Sequence, residues 1–251
     1  MNRVLLFALI SIGLVFGGEQ NDSDIDTKFL NESLNVPGFL VEGEFLYKFS
    51  LADFSELWLS RKYEKFQIGF IGSKFQRVNV HFESIIKNPD KDHEYFVYGK
   101  SRVKDNITVF QGTLKPIHVK KWKYSDVDTL TGYMLLSEYT FYEDNAESHS
   151  GNFTGISNVG FVVDPRGNIL ANTGDLVADG ANNNLFVGYW RGYGSKRKLM
   201  CNWGEFRVPF SGDLDIGTAE FYPNKQKYGS RGWDDYVSPW EDNRPIDKWW
   251  E

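Results

Sequence analysis

The sequence has few cysteines and no excess of basic residues. Its 251 residues include one cysteine, so no internal disulfide can form and two-cysteine redox chemistry is excluded. The formal net charge is −6, which argues against a nucleic-acid partner because phosphate neutralisation needs a basic face. The 4 histidines are scattered without ligand-pair spacing, so we expect neither a structural metal ion nor a cofactor.

The sequence also lacks an apolar run long enough to cross a bilayer. Residues 4–16 carry no charge, but this run is 13 residues long, whereas a membrane-spanning helix needs about 20. It follows basic Arg3 and precedes Gly17 and Gly18, which is the pattern of a signal peptide cleaved near those glycines. No cysteine lies there to accept a lipid. We therefore expect a secreted or periplasmic protein without a transmembrane span in its mature chain.

Aromatic residues are abundant, at 16% of the chain, and they exclude a disordered protein. The distribution of residue types predicts four segments. These are a signal peptide over 1–17, a flexible polar leader over 18–37, an antiparallel β domain over 38–222, and an irregular, Trp-rich tail over 223–251 that packs on the domain.

Most of the chain after residue 66 predicts antiparallel β-structure. Short aromatic or aliphatic runs are separated by Gly, Asn, Asp and Pro, without long amphipathic helices between them, which favours an all-β barrel-like or sandwich-like fold. One short N-terminal helix of about ten residues is predicted after Ser50, from a capping-box pattern and helical spacing. The predicted strands are 75–86, 95–98, 107–110, 133–142, 152–163, 185–193 and 199–208.

A Phe-x-Gly pattern recurs within these strands. Residues two apart on a strand share a face, so an inward Phe would lie beside a Gly that lets another strand approach closely. This arrangement is typical of a barrel. The copies are Phe70-Ile-Gly72, Phe110-Gln-Gly112, Phe153-Thr-Gly155 and Phe186-Val-Gly188.

Four carboxylates are the candidate catalytic residues. If residues 211–220 formed a strand, Asp213 and Asp215 would point the same way, and Glu205 or Glu220 could lie alongside across a hairpin. Clustered carboxylates are what glycoside cleavage or a calcium site requires. The alternative is a turn, since Asp and Gly are the residues that tight turns select.

A second acidic segment supplies the candidate metal ligands Asp175 and Asp179. They lie in a loop rich in oxygen-bearing side chains, but the loop fails the EF-hand pattern because Val177 and Phe186 occupy ligand positions. A hairpin loop is the simpler interpretation.

Aromatic side chains are the candidate ligand-binding residues, because rings can stack on sugars or line an apolar cavity. The tail residues among them either pack on the barrel or display their rings to solvent. The five candidates are Tyr189, Trp190, Trp203, Trp233 and Trp240.

Three functions stay open at the level of sequence. The first is a non-catalytic binding module for an apolar small molecule or a glycan. The second is an extracytoplasmic carbohydrate hydrolase that uses the four carboxylates, and the third is an envelope module that binds another protein. A barrel filled with Phe rings would favour surface recognition, and carboxylates on different faces would exclude the hydrolase.

Overall fold

The computed structural model describes residues 25–59, 61–124, 128–171, 183–241 and 247–251, and these are mostly antiparallel β-structure. The signal-peptide prediction over 1–17 lies outside the described residues. Within the described ranges, three short α-helices accompany the strands: α1 (Ile25–Leu34), α2 (Ser55–Leu59) and α3 (Lys225–Tyr228). The strands are β1 (Gln67–Ile71), β2 (Gln76–Arg77), β3 (Asn79–Lys87), β4 (Tyr95–Val103), β5 (Asn106–Lys121), β6 (Thr131–Glu143), β7 (Gly151–Val163), β8 (Ile169–Ala171), β9 (Asn183–Gly192) and β10 (Leu199–Glu205).

The strands form one sheet that curls back toward itself. Its order is β2-β1-β10-β9-β7-β6-β5-β4-β3, with β8 paired to β7. Only Val78 separates β2 from β3, so one stretch of chain lies at both ends of this order. The backbone N–H of Val78 donates to the carbonyl of Gly69 on β1 at 3.0 Å, which draws the two ends together. The predicted all-β, barrel-like fold is confirmed.

The inner face of the sheet is filled by aromatic side chains. Phe110 stacks on Phe141 with ring centroids 5.2 Å apart, and Phe186 stacks on Trp203 at 4.8 Å. Strand residues two apart share a face, so each strand contributes a row of such side chains. The described interior is therefore a packed core. Its largest fully buried members include Trp58, Trp203, Tyr95, Tyr139, Phe54, Phe110, Phe141, Phe161 and Phe186.

Three of the four Phe-x-Gly copies serve this core. Phe110, Phe153 and Phe186 point inward. In the fourth copy, Phe70 belongs instead to a cluster on the outer face, and Gly72 forms a turn with φ +73°. The pattern therefore marks inward-facing positions on β5, β7 and β9.

Gly155 and Gly188 lie directly opposite each other on β7 and β9. A Cβ atom at Gly155 would overlap the backbone carbonyl oxygen of Val187, and one at Gly188 would overlap that of Thr154. The two strands can approach this closely only because both residues lack a side chain.

Helix α1 corrects the prediction of a flexible leader over 18–37. Residues 25–34 form a helix whose Phe29 is buried on the outer face of β6, β7 and β9. The segment is polar in composition, but its apolar residues fall in two pairs at helical spacing of four, Ile25 with Phe29 and Leu30 with Leu34, and all four pack on the sheet. The sheet residues beneath this helix are Met134, Leu136, Ile156, Leu185 and Val187.

The second helix is shorter than predicted and begins later. Helix α2 starts at Ser55, whose backbone N–H and hydroxyl both donate to the Asp53 carboxylate, at 2.9 and 2.6 Å. Leu51, the first residue after Ser50, is 91% exposed, whereas Phe54 and Trp58 are buried. The cap at Asp53 therefore sets the start of the helix in place of Ser50.

The chain after β10, residues 206–241, covers the outer face of β1 and β10, and we call it the C-terminal segment. Trp233 is completely buried, and its indole N–H donates to the carbonyl of Phe75 at 2.7 Å. The Arg77 guanidinium lies 5.5 Å from the Trp233 ring and 5.6 Å from the Tyr236 ring, which adds cation–π attraction to the apolar contact. The apolar cluster between the two includes Ile68 and Phe70 from β1, with Val208, Leu214, Phe221 and Tyr228 from the segment.

We expect Gly155→Ala to lower the free energy of unfolding by about 2–3 kcal/mol, because the added methyl group forces the backbones of β7 and β9 apart. Urea denaturation measures the loss. Ser157→Ala is the matched control, since it lies two residues further on the same face and its buried hydroxyl has no hydrogen-bond partner in the structure. That variant should retain full stability or gain slightly. Equal losses in the two variants would contradict the close-approach argument.

Candidate functional site

Part of the outer face of the sheet, on β3 to β6, is covered neither by helix α1 nor by the C-terminal segment. A shallow groove of about 620 Å³ crosses it. The residues that line the groove, among those described, are all uncharged. They are Ser84, Ile86, Phe96, Val97, Tyr98, Gln111, Gly112, Thr113 and Tyr142.

Strand register places the outward side chains of this face in two cross-strand rows. The first row is Ser84, Tyr98, Gln111 and Tyr142, and the second is Ile86, Phe96, Thr113 and Thr140. Adjacent strands lie about 4.8 Å apart, so the backbones at Tyr98 and Tyr142 are about 10 Å apart with Gln111 between them.

Three aromatic rings on this face remain in contact with solvent. Phe96, Tyr98 and Tyr142 are 48%, 44% and 52% exposed. A contiguous group of exposed apolar side chains on a folded domain marks a surface that contacts something else. The side chains of Gln111 and Thr113 lie among the rings and offer amide and hydroxyl hydrogen bonds. The groove thus combines flat apolar surfaces with neutral polar groups.

The five aromatic candidates from the sequence lie elsewhere. Tyr189, Trp203 and Trp233 are buried, and the Tyr189 hydroxyl accepts the backbone N–H of Ile25 at 3.0 Å. Trp190 is partly buried, and Trp240 is exposed but packs on Phe66 with ring centroids 4.5 Å apart. These rings pack against other parts of the fold. The sequence shows where aromatic residues occur, but it does not show which of them packing covers.

The four candidate carboxylates occupy different surroundings. Glu205 is 2% exposed on the inner face of β10, whereas Asp213, Asp215 and Glu220 belong to the C-terminal segment on the outer side. Of the two interpretations of this segment, the turn is the one observed, since Gly212–Leu214 is a 3-10 turn. The chain turns there, as Asp and Gly favour.

Each carboxylate of the C-terminal segment has its own structural partner. Hydrogen bonds from Lys227 and from the Tyr228 hydroxyl hold Asp213 and lower its pKa. Asp215 accepts the backbone N–H groups of Gly217 and Tyr222, at 3.0 and 3.2 Å. The Ser238 hydroxyl donates to Glu220 at 2.6 Å. These three carboxylates therefore support turns and packing contacts within the segment.

Metal binding has no support in the described residues. No three His, Cys, Asp or Glu side chains in this part of the chain lie close enough together to hold an ion. The candidates Asp175 and Asp179 lie outside the described residues.

A buried carboxylate that the sequence did not single out joins four strands. Glu143, at the end of β6, accepts hydrogen bonds from the Ser101 hydroxyl at 2.5 Å, the Gly151 backbone N–H at 2.8 Å and the Trp190 indole N–H at 2.8 Å. Burial raises the pKa of Glu143 above its ordinary value of 4.5, although these donors act in the opposite direction. All of these contacts lie within the folded domain, so Glu143 links β4, β6, β7 and β9 by hydrogen bonds.

We expect the pH dependence of stability to change in Glu143→Gln. The folded protein keeps the Glu143 proton to a higher pH than the unfolded chain, so this residue contributes stability that is lost as pH rises above about 4.5. The amide of the variant does not titrate in this pH range. Urea denaturation from pH 4 to 8 should therefore show the stability of the parent protein falling relative to the variant as pH rises. A difference that is constant with pH, or that grows in favour of the parent protein, would contradict the assignment.

Comparison with known proteins leaves the groove to be interpreted from its own geometry. In the part of the chain that the structure describes, no helix is both long and apolar enough to span a membrane. No protein-family model, curated protein or solved structure matches the chain.

Proposed function

We propose that this protein is a secreted or periplasmic, non-catalytic module that binds a glycan in the groove on the outer face of β3 to β6. The observation that carries the proposal is the set of exposed rings at Phe96, Tyr98 and Tyr142, interleaved with neutral polar side chains. Sugar rings present apolar faces edged by hydroxyl groups, so they match a surface that offers both ring faces and hydrogen bonds.

The packed interior favours surface recognition over a ligand held inside the barrel. Small-molecule sites are enclosed clefts that bury most of their ligand. Here the inward Phe110, Phe141 and Phe186 rings are completely or almost completely buried and in contact with one another, where such a ligand would have to lie. The open groove is the better receptor, because an extended chain can lie along it while its other face stays in water.

The dimensions and charge of the groove favour a short stretch of neutral sugar. Tyr98 and Tyr142 are separated by two strand spacings, about 10 Å, which is comparable to the length of a disaccharide. Gln111 lies between them in register and can donate to and accept from the hydroxyl groups of a sugar. The lining is uncharged, so it offers no partner to a charged ligand group, and removing such a group from water without a partner would cost free energy. A neutral sugar avoids that cost.

We expect Tyr98→Ala and Tyr142→Ala each to weaken glycan binding by about tenfold, which corresponds to ~1.4 kcal/mol. Each substitution removes a ring face on which a sugar would stack. Isothermal titration calorimetry with cellohexaose, mannohexaose and xylohexaose gives the affinities. The matched control is Tyr222→Ala, which removes an equally exposed tyrosine from the C-terminal segment and should leave binding unchanged.

The outcomes separate the glycan from a protein partner. Exposed Ile107 and Val109 on the same sheet face are the observation that favours a protein. If none of the three oligosaccharides binds, or if Tyr222→Ala weakens binding as much as Tyr98→Ala, the glycan proposal fails. Thermal unfolding confirms that each variant is folded.

We expect the exported protein to begin at Gly18 or Glu19, because the run before them has the length of a signal-peptide core. Mass spectrometry of the mature protein from its host identifies the first residue. Leu6→Arg places a charge in the core and should leave the full-length chain inside the cell. Export of that variant at the parental level would contradict the signal-peptide prediction.

A further inference from the structure

The last five residues of the chain, Asp247–Glu251, lie on the same sheet face as the groove, and we call them the C-terminal strap. The Trp250 ring stacks on the His81 ring of β3, with centroids 4.0 Å apart and planes 8° apart. Asp247 forms an ion pair with Arg102 of β4 at 3.2 Å. Lys100 of β4 donates to the backbone carbonyl of Trp250.

The side chains beneath the strap continue the groove. On β4, Lys100 and Arg102 lie two and four residues beyond Tyr98 and point to the same face, at steps of about 6.8 Å. His81 lies directly opposite Lys100 in the register of β3 and β4. A ligand chain that extended beyond Tyr98 in this direction would therefore meet the strap.

The strap shows what chemistry this position accepts. It presents a flat ring to His81, a carboxylate to Arg102 and a carbonyl oxygen to Lys100. A uronic acid unit carries the same three features, namely a flat ring face, a carboxylate and neighbouring oxygens. Arg102 is the cation best placed for such a carboxylate, since Glu83 lies 4.0 Å from the Lys100 amine.

The strap is attached by contacts that a ligand could replace. Among the described residues, its one backbone–backbone hydrogen bond is internal, from Glu251 to Lys248. Its contacts with the sheet all involve sheet side chains, and the Asp247 partner of Arg102 is 75% exposed. Ion pairs this exposed contribute little free energy, so no cooperative strand pairing has to break when the strap leaves.

We propose that the C-terminal strap occupies a subsite for a uronic acid unit at the end of the groove, and that an acidic oligosaccharide binds by displacing it. This inference rests on the proposed function, because the subsite extends the glycan groove. Neutral sugars use the rows of Tyr98 and Phe96, whereas the acidic unit uses Arg102 and the ring of His81. The strap thereby sets which ligands bind and how tightly.

The test compares a 1,4-linked galacturonic acid hexamer with cellohexaose, xylohexaose and mannohexaose by calorimetry. In Asp247→Ala/Trp250→Ala the subsite is open, and affinity for the acidic hexamer should rise by about fivefold or more because the competing occupant is gone. Affinity for the neutral hexamers should change less than about twofold. Adding Arg102→Gln should abolish the gain for the acidic hexamer. Asp247→Asn alone, which leaves Trp250 on His81, should give a smaller gain.

Each outcome has a distinct meaning. Neutral binding that Tyr98→Ala weakens, together with no effect of opening the strap on the acidic hexamer, overturns this inference and leaves the proposed function standing. An equal gain for acidic and neutral hexamers overturns the uronic acid assignment. If no oligosaccharide binds any variant, the proposed function and this inference both fail. Thermal unfolding of the double variant distinguishes loss of the strap from loss of the fold.

Discussion

The aromatic packing on the inner face of the sheet is the constraint on which the rest of the structure depends. Phe110, Phe141, Phe186 and Trp203 are in contact across four strands, and no disulfide supports them, since the one cysteine, Cys201, is buried among them. Gly112, Gly155 and Gly188, each two residues after an inward Phe, allow the neighbouring strand backbones to approach closely. Burial of these aromatic side chains is therefore the main source of stability, with Glu143 tying the strands together at one end.

Filling the interior transfers any recognition to the outside of the sheet. Apart from the part of β3 and β4 under the C-terminal strap, the outer face is divided into three regions by what covers it. Helix α1 covers one region and the C-terminal segment covers another, in each case with apolar side chains of its own. The third region carries Phe96, Tyr98 and Tyr142 in contact with water. Outward aromatic residues are therefore buried where another segment packs on the sheet, and they are exposed to solvent where none does.

The strands were predictable because their signal is local. Alternating apolar residues between turn-forming residues indicate a strand wherever they occur, and β6, β7 and β9 lie within two residues of their predicted bounds. Strands β4 and β5 begin close to where they were predicted but extend much further, to Val103 and Lys121. Helix α1 was missed because its few apolar residues lie within a polar segment. A helix this short is stabilised mainly by packing on the sheet, which the local sequence does not show. The aromatic and carboxylate candidates were chosen by residue type. Trp203 and Glu205 turned out to be buried, since burial depends on strand neighbours that are distant in sequence.

The sequence by itself determined that this protein is an aromatic-rich, antiparallel β-domain without disulfides, because alternation, turn residues and cysteine count act locally or by composition. It also contained the Phe-x-Gly positions where strands approach closely. Only the tertiary structure decided which rings face the core and which face solvent, and that the strap lies beside Tyr98. Those relations depend on register between strands and on the segments that pack on the sheet, which bring together residues more than 160 positions apart, such as His81 and Trp250. The groove on the outer face exists only at that level.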